Sequence, residues 1–179
     1  MKVTAGLAGG IHIVYPKSAR PTTDKVKQAI FSAACSRIGS FHGKKVLDMF
    51  AGSGALGIEA LSRGASYVTF LDKEKDAIKA IHKNIQNCKF ENNFEILQTS
   101  FEKYESQKAF DIIFLDPPYN SNLLQKALKA ILNKKLAHSE TLIICENDKQ
   151  IAPPPEFESV FNKKYGSMYV TMLKLIKGV

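Results

Sequence analysis

The stretch Val46-Leu47-Asp48-Met49-Phe50-Ala51-Gly52-Ser53-Gly54-Ala55-Leu56-Gly57 decides the fold. An apolar run from Val46 to Phe50, broken by a single carboxylate, stops at a glycine-rich turn. Ala55, Leu56, Ile58, Glu59, Ala60 and Leu61 then read as a helix ending at Gly64. Strand, tight turn and helix in succession form the unit that holds nucleotide-like ligands. Gly52 and Gly54 allow positive φ and let a ligand approach the main chain, while Gly57 lets the helix lie tight against the strand. Gly52, Gly54 and Gly57 also fit G-x-G-x-x-G, and an acid, Asp72, follows about twenty residues on, as in dinucleotide-binding units.

Outward from this stretch the chain alternates. Tyr67 to Leu71 reads as a second strand ending at Asp72, Lys73 to Asn87 as a helix, Phe94 to Gln98 as a third strand and Phe110 to Leu115 as a fourth. A helix from about Ser121 to Asn133 and a fifth strand, Thr141 to Cys145, follow. Strands alternating with helices argue a doubly wound α/β fold with a mostly parallel sheet. Ala152-Pro153-Pro154-Pro155 is a stiff connector, and Phe157 to Lys164 and Met168 to Ile176, joined through Tyr165-Gly166-Ser167, form an antiparallel pair at one sheet edge. Ahead of the core, residues 2 to 15 read as a small hairpin outside the sheet. A basic loop follows from Lys17 to Thr22, then a helix capped by Thr22 or Thr23, with Val26, Ala29, Ile30, Ala33 and Ala34 on one face, ending near Gly39. The 179 residues make one domain, with residues 1–40 an extension and 41–179 the core.

Charge narrows the partners. The 25 Lys and Arg against 17 Asp and Glu give a net charge of +8, which favours a polyanion over a neutral metabolite, although a solvated basic surface is the plain alternative. Cys35, Cys88 and Cys145 are odd in number and lack C-x-x-C spacing, as expected of reduced thiols in a cytoplasmic protein. No signal-like or membrane-length apolar run occurs, and the four histidines show no metal-ligand spacing, so neither a membrane nor a metal is expected.

A second motif, Asp116-Pro117-Pro118-Tyr119, closes the fourth strand. In a parallel sheet this is the edge at which the glycine turn opens, so both motifs face one crevice. Two consecutive prolines remove backbone donors and leave carbonyl oxygens outward as acceptors. The Asp116 carboxylate and the Pro117 carbonyl can accept the two N–H groups of an exocyclic base amine, and Tyr119 can stack on the base, a contact worth about 1 to 3 kcal/mol. As plain structure, Asp-Pro-Pro-Tyr is a stiff strand-to-helix turn, Asp48 a loop hydrogen-bonder and Asp72 a helix cap.

Together the motifs resemble S-adenosylmethionine methyltransferases. Arg20-Pro21-Thr22-Thr23-Asp24-Lys25-Val26 with Ile30-Phe31, Leu47 to Gly57, Glu59-Ala60-Leu61-Ser62-Arg63-Gly64-Ala65 and Asp116-Pro117-Pro118-Tyr119 make the chain similar to the bacterial 16S rRNA guanine-N2 methyltransferase family over nearly its whole length. That resemblance implies a seven-stranded sheet with an antiparallel last strand, and S-adenosylmethionine as methyl donor. It implies a guanine N2 amine in 16S rRNA as acceptor, in an assembling small subunit, and a monomeric enzyme. Asp116, Pro117 and Tyr119 are the implied catalytic residues. Asp48, beside the methionine amino group, and Asp72, on the ribose hydroxyls, are the implied cofactor residues, with Phe50, Ala51, Gly52, Ser53, Gly54, Lys73, Ser100 and Phe101. Lys17, Arg20 and Thr22 are the RNA-binding candidates, with Lys25 and Lys27 as lesser ones.

The chain departs from the pattern after the third strand, where Gln98-Thr99-Ser100-Phe101 offers Ser100 in place of the usual acid. It departs again at Gly9-Gly10-Ile11-His12, which lacks a basic pair. Asp-Pro-Pro-Tyr is shared with adenine-N6 and cytosine-N4 methyltransferases of DNA or RNA. The glycine motif alone also fits a nicotinamide-dependent oxidoreductase, and a non-catalytic RNA-binding module is a third reading.

Overall fold

The computed structural model describes residues 1–16, 23–118 and 122–176. In chain order the elements are α1 (Asp24–Ile38), β1 (Lys45–Asp48), α2 (Ala55–Ser62), β2 (Tyr67–Asp72), α3 (Lys75–Asn87), β3 (Phe94–Gln98), β4 (Phe110–Leu115), α4 (Leu123–Asn133), β5 (Ala137–Asn147), β6 (Phe157–Tyr165) and β7 (Met168–Leu175). The strands form one sheet in the order β3-β2-β1-β4-β5-β7-β6. β1 pairs in parallel with β2 and β4, β2 with β3 and β4 with β5, whereas β7 is antiparallel to both β5 and β6. The expected doubly wound fold is therefore present, seven strands with β7 the reversed one. The strand order turns back between β1 and β4, and a sheet of this kind opens its crevice beyond the carboxyl ends of the strands there.

Each face of the sheet is apolar and covered. On one face Ile30 and Phe31 of α1, Ile58 of α2 and Ile81 of α3 pack on Val46, Phe70, Ile112 and Phe114. On the other, Leu124, Leu128 and Ile131 of α4 pack on Leu47, Leu71, Ile113 and Leu115. Burial on both faces explains why these strands read as continuous apolar runs rather than alternating ones. Gly57 is where α2 meets the sheet, since a Cβ there would collide with the Phe70 ring and lie 2.9 Å from Val68 Cγ1.

Several boundaries shift from the sequence reading. β1 ends at Asp48, with Met49 and Phe50 already turning, α2 ends at Ser62, and α3 and α4 start two residues late. β5 begins at Ala137 rather than Thr141, because pairing with β4 extends down to Phe110 opposite Ala137 across a register shift. The polar run His138-Ser139-Glu140 hides that extension in the sequence. In α1, Thr23 caps as expected, its hydroxyl accepting from Val26 N at 3.4 Å, and Gly39 closes the helix at φ 77°. The buried stripe, however, is Lys27, Ile30, Phe31 and Ala34. Lys27 is fully buried, so it is not the RNA-facing lysine the sequence suggested.

Residues 2 to 13 fold back outside the sheet through one antiparallel bridge, Lys2 to His12, with Val3 N donating to Ile11 O (2.8 Å) and Gly10 N to Val3 O (2.9 Å). Val3, Ala8 and Ile13 join the core. Among the described residues no helix is long and apolar enough to cross a membrane, and no cluster of His, Cys, Asp and Glu has metal-binding geometry.

Candidate active site

A cleft of about 640 Å³ opens at the carboxyl ends of β1, β2 and β4. Asp48, Phe50, Ala51, Gly52, Ser53, Asp72, Lys73, Ser100, Phe101, Asp116 and Pro117 all line it, so the two motifs share one crevice. Of the cofactor residues expected from the sequence, only Gly54 lies behind the wall, where it starts α2 in the left-handed region (φ 77°) and donates to Ala51 O at 2.6 Å. Gly52 also sits at positive φ (54°), with open space where a side chain would project. Tyr119, Lys17, Arg20 and Thr22 lie outside the described residues.

The glycine turn is held by carboxylates on both sides. Asp72 Oδ2 accepts from Gly52 N at 2.8 Å while its Oδ1 accepts from Glu74 N at 2.9 Å, which ties the turn to the start of α3. Asp48 Oδ2 accepts from Gly57 N at 3.0 Å, tying the end of β1 to the first turn of α2. Asp48 is thus a hydrogen-bonder, as in its plain structural reading. Asp72, in contrast, does not cap α3, whose N-cap is Glu74 with no side-chain cap bond; it braces the turn ahead of the helix instead. Each oxygen keeps a further lone pair for a ligand. Asp48 is 2 % exposed. Burial pushes its carboxyl up to about 7, against the Gly57 hydrogen bond, and the charges of Asp116 and Asp72 push in the same upward direction. Burial likewise raises Asp116 well above the ordinary carboxylate range. Three acids around one cleft in a chain of net charge +8 form a local negative site, suited to a ligand that is itself cationic.

Phe101 lines the cleft from the core: it is 4 % exposed, packs with the α4 side of the sheet and lies tilted against Phe50 at a centroid distance of 5.4 Å. Ser100 is partly exposed beside it, and Glu102, an acid the motif comparison passed over, also lines the cleft.

Sequence reasoning missed three supports. Glu59 on α2 is fully buried and accepts from Thr4 N (2.8 Å), Thr4 Oγ1 (2.6 Å), Ala5 N (3.1 Å) and Arg63 Nε (2.8 Å), and Lys27 Nζ lies 3.1 Å away. Burial by itself pushes the Glu59 carboxyl up. The hydroxyl and backbone of Thr4, the Lys27 ammonium and Arg63 outweigh it, so the net shift is downward. Asn84, buried on the apolar side of α3, donates through Nδ2 to Ser53 O (2.9 Å) and Val14 O (2.8 Å) and accepts from Val14 N (2.8 Å). It clamps the glycine turn to the N-terminal segment, whose Met1, Tyr15 and Pro16 form one wall of the cleft. Burial raises the Tyr15 hydroxyl to about 12, so it stays protonated and donates to Met1 Sδ at 3.1 Å. The one available signal was Asn84 itself, an amide in the stripe with Ala77, Ala80, Ile81 and Ile85.

A family model described as conserved hypothetical protein 95 matches residues 1–174. The chain belongs to that family. Ribosomal RNA small subunit methyltransferase D of Haemophilus influenzae is 36 % identical over 156 residues, covering 83 % of this chain and 79 % of the relative. YlbH of Bacillus subtilis, provisionally named an rRNA methyltransferase, is 35 % identical over 162 residues, with 86 % of each chain covered. Among solved structures, yhhF of Escherichia coli, provisionally named a methyltransferase, superposes with a TM-score of 0.86 at 25 % identity, covering 98 % of this chain and 97 % of that one. The strand order, the reversed β7 and the glycine turn after β1 are accordingly those of the class I methyltransferase fold, and the family resemblance drawn from the motifs holds.

Proposed function

We propose that this protein transfers a methyl group from S-adenosylmethionine to the exocyclic N2 amine of a guanine in small-subunit (16S) rRNA. One observation carries the reading: the Asp116-Pro117 turn and the acid-flanked glycine turn line the same cleft. Family membership supports it, since relatives across most of their length bear the name of small-subunit rRNA methyltransferases. The donor set fits S-adenosylmethionine because that molecule carries two positive charges, on sulfur and on the amino group, and the cleft is lined by Asp48, Asp72 and Asp116.

When bound, S-adenosylmethionine supplies a methyl group already activated on a sulfonium. Asp48 holds the amino group, and Asp72, its oxygens already aligned by Gly52 N and Glu74 N, accepts from the ribose hydroxyls. Phe50, Ala51, Gly52, Ser53, Lys73, Ser100 and Phe101 wall the rest of the ligand, and Gly54 fixes the turn. On the acceptor side the Asp116 carboxylate and the Pro117 carbonyl take the two N–H groups of the base amine, and Tyr119 stacks on its ring. Catalysis then consists mostly of placement at near-attack distance, about 3 to 3.5 Å, with water excluded. The Asp116 carboxylate offsets the positive charge as the amine becomes cationic, and the surplus N–H proton leaves to solvent after transfer, giving the neutral methylamino group. Residues 1–40 form an RNA-contacting extension of a single domain, with Lys17, Arg20 and Thr22 on the backbone. The protein acts as a cytoplasmic monomer on an assembling subunit.

The test is methyl transfer from labelled S-adenosylmethionine to 16S rRNA in small subunits from cells lacking the gene, followed by mass analysis of the nucleosides. N2-methylguanosine is expected. N6-methyladenosine or N4-methylcytidine would replace the acceptor assignment with that of the other Asp-Pro-Pro-Tyr enzymes. Tight NADH binding without S-adenosylmethionine binding would replace the whole reading with an oxidoreductase.

A further inference from the structure

The carboxyl edge of the sheet has two halves about the switch point, one over β1, β2 and β3 and one over β4, β5, β7 and β6. Because β7 runs antiparallel to β5, with Val170 opposite Glu146 and Tyr169 opposite Asn147, the β6–β7 turn at Gly166 stands at the same edge as Asp116. Lys163 lies opposite Val170 and Lys164 opposite Tyr169, so both lysines sit in the last rows of the sheet before that turn. At about 4.8 Å per strand, the β6 backbone is roughly 14 Å from that of β4, within reach of the same nucleic-acid strand.

The halves differ in how their exposed lysines are held, although on the β2–α3 side Lys75 and Lys83 are exposed and unpaired among the described residues. On the β2–α3 side, Lys73 lies 3.9 Å from Glu74 and Lys79 lies 3.3 Å from Asp76. On the other side Lys149, in the segment leaving β5, and Lys163 and Lys164 are all exposed, and none has a carboxylate within ion-pair distance among the described residues. Two of them are nonetheless positioned: Lys163 Nζ lies 5.3 Å from the Tyr165 ring centroid and Lys164 Nζ 5.2 Å from that of Tyr169. Arg37 steadies the strand that bears them, with Nη2 and Nε donating to Val160 O at 3.1 and 3.3 Å and the guanidinium 4.6 Å from the Phe161 centroid.

We propose that the β6–β7 hairpin, through Lys163 and Lys164 together with Lys149, is a second contact for the RNA sugar-phosphate backbone, on the acceptor half of the cleft and separate from the Lys17–Arg20 stretch. The inference rests on an rRNA acceptor and adds where its strand runs. Ammonium groups free of carboxylates give up no ion pair on meeting a phosphate, and those already held over a ring lose less side-chain freedom. Such contacts fix register without reading sequence.

The test compares wild type with Lys149→Gln/Lys163→Gln/Lys164→Gln on small subunits lacking the methyl mark. The triple variant is expected to raise KM for the particle about tenfold or more, leaving kcat and S-adenosylmethionine affinity unchanged. It should also lower the slope of log affinity against log salt by about 2 to 3, one unit or slightly less per phosphate contact. An unchanged KM and slope, in a wild-type enzyme that does methylate the particle, overturns the hairpin contact alone. The same loss from Lys75→Gln/Lys79→Gln/Lys83→Gln on α3 also overturns it, since net charge then explains the effect. A wild type that neither binds nor methylates the particle overturns the rRNA reading itself.

Discussion

Two buried carboxylates, one on α2 and one facing its start, have opposite fates. Glu59, near the end of the helix, has several donors around it and is held below its ordinary range. Asp48, facing the start of the helix, has one backbone donor and is pushed up to about 7. Burial pushes both carboxyls up; around Glu59 the Thr4 donors, the Lys27 ammonium and Arg63 outweigh it, whereas around Asp48 a single backbone donor is opposed by the charges of Asp116 and Asp72. A carboxylate whose lone pairs are filled by the protein is a strut, and one left short of donors beside a cleft is set up for a ligand. Sequence alone ranks them the other way in visibility, since Asp48 sits in a motif and Glu59 looks like an ordinary helix acid.

The sharpest way to break the comparison is to remove the strut. Glu59→Ala leaves Lys27 buried without a counter-charge and Thr4 N without an acceptor, and is expected to cost about 3 to 5 kcal/mol of stability. Chemical denaturation measures it, and a loss under about 1 kcal/mol would show that Glu59 holds nothing. Next comes Asp116→Ala, expected to lower kcat by about 10²- to 10³-fold, in the range for removing one aligned group at a reacting atom. RNA affinity should hold, because Asp116 lies at the cleft rather than on a phosphate-binding surface. Undiminished transfer would assign the chemistry to residues other than Asp116.

What the sequence made legible follows from parallel topology. Once β1 and β4 are recognised as neighbouring parallel strands, Asp48 and Asp116 must emerge at one edge, and no side-chain detail is needed to bring the motifs together. The hairpin of β6 and β7 was legible for a different reason, the short link Tyr165-Gly166-Ser167 between two strand-like runs. The supports were not. Lys27 lies among Asp24, Lys25 and Gln28 and looks like solvated helix surface, and only the docking of α1 on α2 turns it inward against Glu59. Asn84 could be seen as polar in an apolar stripe, but its partners, Ser53 O and Val14, come from loops whose approach no periodicity encodes. Phe101 lines the cleft as the motif position suggested, but that its ring packs on Phe50 is a contact no motif specifies.

Asp48→Asn separates stability from function. The amide keeps an acceptor for Gly57 N and removes a charge that burial disfavours. A rise from about 3.9 to about 7 corresponds to about 4 kcal/mol, and solvent in the open cleft reduces it, so the variant should be about 2 to 4 kcal/mol more stable near pH 8. The sign follows from proton counting. Between about pH 4 and 7 the folded protein holds a proton on Asp48 that the unfolded chain has released, so this group destabilises the fold as pH rises, and the loss is complete above about 7. Glu59 acts in the opposite direction: its stabilisation is full above the unfolded value and is lost as pH falls through the lowered folded one. The variant should therefore be stabilised at pH 8, with little change at pH 4, and should bind S-adenosylmethionine more weakly. A variant destabilised at pH 8 would show that the Asp48 charge is already compensated.

The smallest effect is the most specific to the site. If Asp48 must be ionised to hold an ammonium group, the proton it carries below about pH 7 has to leave on binding, and affinity for S-adenosylmethionine should rise about tenfold from pH 5.5 to 6.5. The neighbouring Asp116 charge makes the pair titrate together, so the slope belongs to both acids. Above about pH 7.7 an α-amino group begins to lose its own proton, so the affinity passes through a maximum between the two ionisations. Calorimetry in buffers of different ionisation enthalpy reads the released proton directly. In Asp48→Asn the rise should flatten, because one of the two acids no longer titrates and Asp116, relieved of its neighbour, ionises at lower pH. An affinity that stays level from pH 5.5 to 7.5 in the wild type would mean the cleft acids are ionised before any ligand arrives, and the contrast between Asp48 and Glu59 would then be one of position alone.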